Sequence, residues 1–240
     1  MISVIIPTLN EEKLLGQMLR QFTSDTLRKH HIELVVSDGG SVDGTLAIAR
    51  KHAAVVIEKP GTLKQTISEG RNLGAQCAHG EILVFLNADT LIGKVEYFFR
   101  RITEEIQREN VAALTCSVEV YPHEVRLTDR VYHGFYNWLF RLMNSVGMGM
   151  GRGECHIIRR DVFQAVGGYA PEIAAGEDYD MFRRLRRKGK IRFLRDVVVY
   201  ESPRRYRKYG YLYVTFSWFV NFLSVFFLGK SLLREWKPVR

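Results

Sequence analysis

Four short runs of apolar, largely β-branched residues, each followed by a helical pattern, constrain this chain more than anything else in it. "ISVIIPT" reads as a strand that Pro7 ends, with Asn10 capping a helix whose Leu14, Leu15, Met18, Leu19 and Phe22 form one apolar face. "IELVVSDGG" precedes Asp43, which caps "GTLAIARKHA". "AAVVIE" leads to a helix near 64–78, and "EILVFL" to another near 94–108. Four βα units within about 110 residues predict an α/β fold, a mostly parallel sheet with helices on both faces.

In open sheets of this kind ligands bind beyond the carboxyl ends of the strands. "PTLNEE", "SDGGSVDGT" and "NADT" all stand at such ends, which places Asn10, Glu11, Asp38 and Asp89 on one rim. Carboxylates gathered there repel one another unless a cation neutralises them, so a divalent metal is the economical expectation. Mg²⁺ and Mn²⁺ take oxygen ligands, usually one or two carboxylates plus substrate phosphate. Asp89 is the expected ligand, the alternative being a simple cap on the turn after the strand.

The chain has 240 residues, 46% apolar and 25% charged, enough for one large α/β domain and an appendage. Cys77, Cys116 and Cys155 have neither disulfide nor zinc spacing and read as buried thiols of a reducing compartment. No basic, apolar leader opens the sequence, so the expected location is the cytoplasmic side. Residues 1–120 carry 13 Lys+Arg against 15 Asp+Glu, and residues 121–240 carry 22 against 11, giving −2 and +11. The second half therefore faces something anionic. Nucleic acid is not the expected partner. In "RRLRRKGK", Arg183, Arg184, Arg187 and Lys188 form a solvated face opposite Tyr179, Phe182 and Leu185, and no stacking platform accompanies them.

The second half is less regular: an aromatic segment at 125–147, the Gly-rich "GMGMGRGECHII", a helix near 177–188 and the strand "IRFLRDVVVY". As a helix, the aromatic segment puts Val131, Phe135, Trp138, Leu139, Leu142 and Val146 on one stripe. Arg130, His133, Asn137, Arg141 and Asn144 fall opposite. That pattern suits a helix lying in a membrane interface, or an ordinary helix packed on a core. Composition changes after Pro203, where a boundary is placed. Tyr211 to Leu228 supplies 18 mostly apolar residues, ~27 Å as a helix, barely a bilayer's hydrocarbon thickness. Ser217, Asn221 and Ser224 align on one face, and Arg204, Arg205, Arg207 and Lys208 before it balance Lys230, Arg234, Lys237 and Arg240 after it. An embedded segment, or one packed on a partner helix, fits these facts better than a crossing.

"SVIIPTLNEE", "VVSDGGSVDGT", "RNLGAQCAHGEILVFLNADT", "GRGECHIIRRDVFQAVGGY" and "GEDYDMFRRLRRKG" together resemble family 2 glycosyltransferases of the GT-A fold, in that family's order, over roughly residues 1–200. "SPRRYRKYG" with the apolar segment behind it resembles membrane-associated members. The resemblance implies a domain at 1–203, with a nucleotide-binding half to residue 110 and an acceptor half after it, and a membrane-associated tail at 204–240. By position, Pro7, Thr8, Asn10 and Glu11 match the first nucleotide-contacting loop, Asp38 the carboxylate that reads the base, and Arg71 a basic residue near the diphosphate. "NADT" matches the DxD element with Asn87 in place of its first Asp, leaving Asn87 to a ribose hydroxyl and Asp89 to the metal. The Gly-Glu-Asp before the helix near 177–188 matches the acidic motif of the catalytic base, Asp178, with Glu177 beside it.

The implied activity is metal-dependent inverting transfer of a sugar from a nucleoside diphosphate-sugar to a membrane-proximal, lipid-linked acceptor at the cytoplasmic face. Asp178 would take a proton from an acceptor hydroxyl. With a polyprenyl phosphate, already ionised through its second pKa near ~6, Asp178 would orient the acceptor instead. A sugar-nucleotide pyrophosphorylase would need a Gly-rich phosphate loop after the first strand, which "PTLNEE" does not supply. A non-catalytic nucleotide- and membrane-binding scaffold has only Asn87 in its favour.

Overall fold

The computed structural model describes residues 1–53, 55–59, 65–173, 175–231 and 239. In chain order its elements are β1 (Ile2–Thr8), α1 (Leu15–Leu19), α2 (Ser24–Lys29), β2 (Ile32–Asp38), α3 (Thr45–His52), β3 (Val55–Glu58), α4 (Ile67–Cys77), β4 (Ile82–Leu86) and β5 (Leu91–Ile92). There follow α5 (Val95–Ile106), β6 (Val111–Val120), α6 (Leu127–Ser145), β7 (Cys155–Arg159), α7 (Arg160–Ala165), α8 (Glu177–Arg186), β8 (Lys190–Glu201), α9 (Arg204–Tyr209) and α10 (Tyr211–Leu228). The beginning of the helix expected near 64–78 and the expected cations Arg234, Lys237 and Arg240 lie outside the described residues.

All eight strands join one sheet in the order β3-β2-β1-β4-β7-β6-β8-β5. The first four are parallel, as the repeated βα pattern requires. Beyond them the sheet is mixed rather than mostly parallel. β7 runs antiparallel to both β4 and β6, and β5 antiparallel to β8, while β6 and β8 are parallel. This arrangement decides the site. β1, β2, β4, β6 and β8 all finish on one edge of the sheet, and the reversed β7 begins there, Cys155 pairing with Leu86.

Alternation along the strands feeds two cores. Val4, Ile6, Leu34, Val36, Val84 and Leu86 pack with Leu15, Met18, Leu19, Phe98, Phe99 and Ile102 on one face. Ile5, Val35, Leu83 and Phe85 pack with Ala75, Phe163, Met181, Phe182 and Leu185 on the other. Both faces are covered because no strand residue between these sets meets water. α4 sits close to β1: a Cβ on Gly74 would come within 2.4 Å of Ile5. Cys116 and Cys155 are buried thiols and Cys77 is half-buried, none of them in a disulfide.

Three local expectations are corrected. Pro7 lies inside β1, which is tolerated because pairing to β4 has already stopped at Ile5, so no partner needs an N–H there. Asn10 does not cap α1, whose N-cap is Leu14 without a side-chain bond. Asp43 is not the N-cap of α3 either: that position is Gly44, without a side-chain bond, and Asp43 stands one residue before it, its Oδ1 accepting from the Thr45 N–H at 3.0 Å. The helices α6, α8 and α10 form where expected. Among the described residues no helix is long and apolar enough to cross a membrane. On α10, Asn221 and Ser224 share one face and are buried against the protein.

Candidate active site

A cavity of about 950 Å³ opens at the edge where the five strands end and β7 begins. Thr8, Asn10, Glu11, Asn87 and Asp89 form its strand-end wall, with Pro7 and Arg71, and Glu177 and Asp178 face them from the start of α8. Phe140, Tyr179, Tyr206 and Trp218 supply an aromatic wall.

The first two loops are tied together before any ligand arrives. Asn10 adopts φ 53°, a conformation asparagine accepts more readily than most residues. Its Oδ1 accepts from the Val42 N–H at 2.9 Å, and its own N–H donates to Ser41 Oγ at 2.8 Å. Asp38 is fully buried. Its Oδ2 accepts from the Gly40 and Ser41 N–H groups at 2.9 and 2.8 Å. Its Oδ1 accepts from the Thr8 and Ser41 hydroxyls at 3.1 and 2.5 Å. The carboxylate builds the loop, and it is the backbone of Gly39 and Gly40, not Asp38 itself, that reaches the cavity.

Arg71 is 1% exposed and joins three segments. It donates to Glu177 Oε1 at 2.8 Å, Asn87 Oδ1 at 3.2 Å and the Gly153 carbonyl at 2.7 Å, and its guanidinium lies 5.2 Å from the Tyr169 ring centre. Asn87 and Glu177 are thus held by one arginine. Gly153 keeps the space beside them narrow but open: a Cβ there would stand 3.8 Å from Asp178 Oδ2 and 3.9 Å from Arg71 Nη2.

Asp89 follows β4 as expected, but the cation beside it belongs to the protein. Arg204, at the start of α9, lies 3.1 Å from Asp89 Oδ2 and holds both Glu11 oxygens, at 2.9 and 3.0 Å. Burial pushes the Asp89 carboxyl above its ordinary value; Arg204 pulls it back, and Glu11 and Glu154 push it further up. The Tyr121 hydroxyl donates to the Asp89 carbonyl at 2.5 Å and fixes the turn. Arg204 thus supplies part of the positive charge that these clustered carboxylates call for.

A second buried arginine works the same way. Arg152 lies 2.9 Å from Glu201 and 3.4 Å from Glu154, and donates to His133 Nδ1 at 3.3 Å. An imidazole nitrogen that accepts from a guanidinium is unprotonated, and burial with Arg152 nearby pushes the His133 pKa down to about 3. Burial and Glu154 push the Glu201 carboxyl well up, against Arg152.

Asp178 stands at the N-terminus of α8, after Gly176 at φ 84°. Burial first, then the Glu177 charge, holds its carboxyl well above the ordinary range, with Arg71 opposing. In α8, Phe182 and Leu185 are buried as expected. Arg184 is not part of a free solvated face: it pairs with Asp180 at 2.7 Å and donates to the carbonyls of Val166 and Gly168.

Every expected site residue reaches this region, Asp38 from behind the wall. Arg152, Glu154, Glu201 and Arg204 were not foreseen. Glu154 precedes a strand instead of following one, and Arg204 was read only as part of a basic run. Both Arg152 and Glu154 lie in "GRGE", at the start of one of the motifs that carry the family resemblance.

Among the described residues no group of three or more His, Cys, Asp or Glu is arranged to hold a metal ion. Of the carboxylates that line the cavity, Glu11, Glu177 and Glu201 are held by Arg204, Arg71 and Arg152, while Glu154 Oε2 accepts no hydrogen bond and has Arg152 at 3.4 Å.

Residues 3–167 match the family model described as Glycosyl transferase family 2. Glycosyltransferase AglE of Haloferax volcanii is 29% identical over 206 residues, 82% of this chain and 65% of its own. The 4,4'-diaponeurosporenoate glycosyltransferase of Staphylococcus haemolyticus is 31% identical over 152 residues, 61% of this chain and 37% of its own. The chain thus spans less than two thirds of the length of these relatives. The mannosyltransferase PcManGT of Pyrobaculum calidifontis, solved with GDP-Man and Mn²⁺, superposes with a TM-score of 0.65 at 23% identity, covering 84% of this chain and 56% of that one. That likeness carries the GT-A architecture, and the ordered strand-end motifs and the matched family model carry the rest: the chain belongs to glycosyl transferase family 2.

Proposed function

We propose that the protein transfers a sugar from a nucleoside diphosphate-sugar to an acceptor at a membrane surface, with inversion and with a divalent metal. The observation that carries the reading is the meeting of Asp89 and Asp178 on one cavity, the first at the end of β4, the second at the head of α8. The roles assigned from the sequence fit the two walls. Pro7, Thr8, Asn10 and Glu11, with the backbone that Asp38 shapes, receive the nucleoside. Asn87 faces the ribose. Arg71 holds Glu177 and Asn87 in register and presents positive charge to the diphosphate. The acceptor enters along the aromatic wall, and its apolar character argues for a lipid-linked molecule.

The carboxylates fit one Mg²⁺ or Mn²⁺ completed by substrate phosphate, since that is how these ions are usually bound. Asp89 would be its main ligand, with Glu154 lining the same cavity. Such an ion supplies charge stabilisation to the departing diphosphate. Mn²⁺ in the GDP-Man complex of PcManGT supports the same choice. Asp178 takes the proton of an acceptor hydroxyl as its oxygen attacks the anomeric carbon from the face opposite the diphosphate. A raised carboxyl pKa suits that task, because a base works best when its proton affinity lies near the operating pH.

The test is turnover of labelled nucleotide sugars by membranes bearing the protein, followed by extraction of the lipid fraction. Label is expected there, dependent on Mn²⁺ or Mg²⁺ and abolished by Asp89→Ala. Unchanged turnover in Asp89→Ala removes the metal assignment. Label confined to a water-soluble product removes the lipid acceptor.

A further inference from the structure

α6 and α10 are built inside out. On α6, Val131, Phe135, Trp138, Leu142 and Val146 are 67, 53, 51, 40 and 65% exposed. Its polar stripe turns inward instead: His133 is buried, Asn137 bonds the N–H and the carbonyl of Val118, both at 3.0 Å, and Asn144 bonds the backbone of Met150. α10 repeats the inversion, with Asn221 and Ser224 buried and Leu212, Phe216, Phe219 and Phe227 at least half exposed. The two helices pack side by side through a Tyr132–Thr215 hydrogen bond of 3.0 Å and the Tyr136–Trp218 ring contact at 5.7 Å. Single exposed apolar residues are ordinary on a protein surface; two adjoining helices with reversed faces mark an interaction surface.

The charges around that surface say what covers it. From 126 to 148 and from 208 to 230 the ionic side chains outside the protein interior are Arg126, Arg130, Arg141, Lys208 and Lys230, all cationic. The single carboxylate in these stretches, Asp129, is buried on Arg207 at 2.5 Å. A second copy would bring cations against cations. An anionic lipid surface meets both the apolar faces and their charged border. We infer that α6 and α10 form a monotopic docking surface for an anionic bilayer, lying in its headgroup region without crossing it. Phe140 of α6 and Trp218 and Asn221 of α10 also line the cavity, so the helices that touch lipid are one wall of the site. That last step rests on the acceptor reading above; the docking itself does not.

The full chain is floated with vesicles of equal parts phosphatidylglycerol and phosphatidylcholine, and with phosphatidylcholine alone. Binding is expected on the mixed vesicles and about tenfold or more weaker on the neutral ones, since each basic residue near the surface contributes roughly 1 kcal/mol. Phe135→Glu with Trp138→Glu, and separately Phe216→Glu with Phe219→Glu, are each expected to lower binding about tenfold or more. Both pairs should keep titratable binding of a nucleoside diphosphate with Mn²⁺, because these side chains stand outside the cavity. Should either pair misfold, quenching of the wild-type tryptophan emission by brominated lipid decides, and its absence overturns the inference. So does flotation unchanged in both pairs, or a wild-type dimer that Phe135→Glu with Trp138→Glu converts to monomer. Wild-type protein that binds vesicles but no nucleoside diphosphate would end the glycosyltransferase reading and leave the surface standing.

Discussion

Arg204 and Asp178 show how much of the chemistry is set by single charges. Arg204 neutralises Glu11 and Asp89 from a segment almost two hundred positions further along the chain. Arg204→Ala removes a charged donor from two largely buried carboxylates, at a cost of about 1–3 kcal/mol. For a chain of this size each kcal/mol reads as about 2–4 °C in Tm. Mn²⁺ without nucleotide should then raise the Tm of the variant more than that of the wild type, because the ion takes over the missing charge; equal shifts in calorimetry would refute this. Asp178 is the opposite case, a charge the fold disfavours. Its folded pKa stands above the ordinary 3.8. Below that value it is protonated in both states and costs nothing. As pH rises through the folded pKa, the unfolded chain has already gained a solvated carboxylate that the folded chain resists, so stability is lost. Asp178→Asn is therefore expected to raise Tm at neutral pH and not at pH 3, while lowering transfer to a hydroxyl acceptor by about 10²–10⁴. Retained transfer would point to a phosphate acceptor.

Among the elements, α6 carries the clearest lesson about what periodicity reveals. The stripe was legible, because spacing of three and four residues fixes which side chains share a face. Which face turns inward was not, since that depends on what the polar groups meet. They meet β6: past Leu114 its edge no longer pairs with β7, and Asn137 stands in for the missing strand by bonding Val118 both ways. Asn137→Ala should thus cost about 1–3 kcal/mol. Trp138→Ser, one residue on but facing outward, should shift stability by no more than about 0.5 kcal/mol. Chemical denaturation distinguishes the two, and equal losses would mean that α6 is not held by this amide. The same reasoning explains the strands. β1 to β4 were readable because each is followed by an amphipathic helix. β6 and β7 are buried on both faces and give continuous apolar runs, and nothing local says that β7 runs backwards. Asp89 was found by looking after strands, and Glu154 was missed because it comes before one.

At the scale of the whole molecule, the change of composition after Pro203 coincides with a change of role that the charge count alone conceals. Much of the excess of cations in the second half is directed inward. Arg204 reaches Glu11 and Asp89, and Arg207 reaches Asp129 on α6. The Tyr206 hydroxyl donates to Glu201 at 3.0 Å. α9 is thus the piece through which the strand-end rim, β8 and the outward-facing α6 are joined, and the site's electrostatics depend on it. A chain ended at residue 203 keeps every strand and both hydrophobic cores but leaves Glu11, Asp89, Asp129 and Glu201 without these donors. Glu11 with Asp89, and Asp129, are two losses of about 1–3 kcal/mol each, and Glu201, which keeps Arg152 at 2.9 Å, loses a hydroxyl donor for about 0.5–1.5 kcal/mol. Against a usual total of about 5–15 kcal/mol they remove a large share of the stability. The shortened chain should accordingly show either no cooperative melt or a Tm lower by ten degrees or more, on the order of 2–4 °C per kcal/mol. It should also be cleaved rapidly within α6 in limited proteolysis, because Asp129 anchors that helix. A sharp melt near the full-length Tm would show that the rim is self-sufficient and that Arg204, Tyr206 and Arg207 merely decorate it.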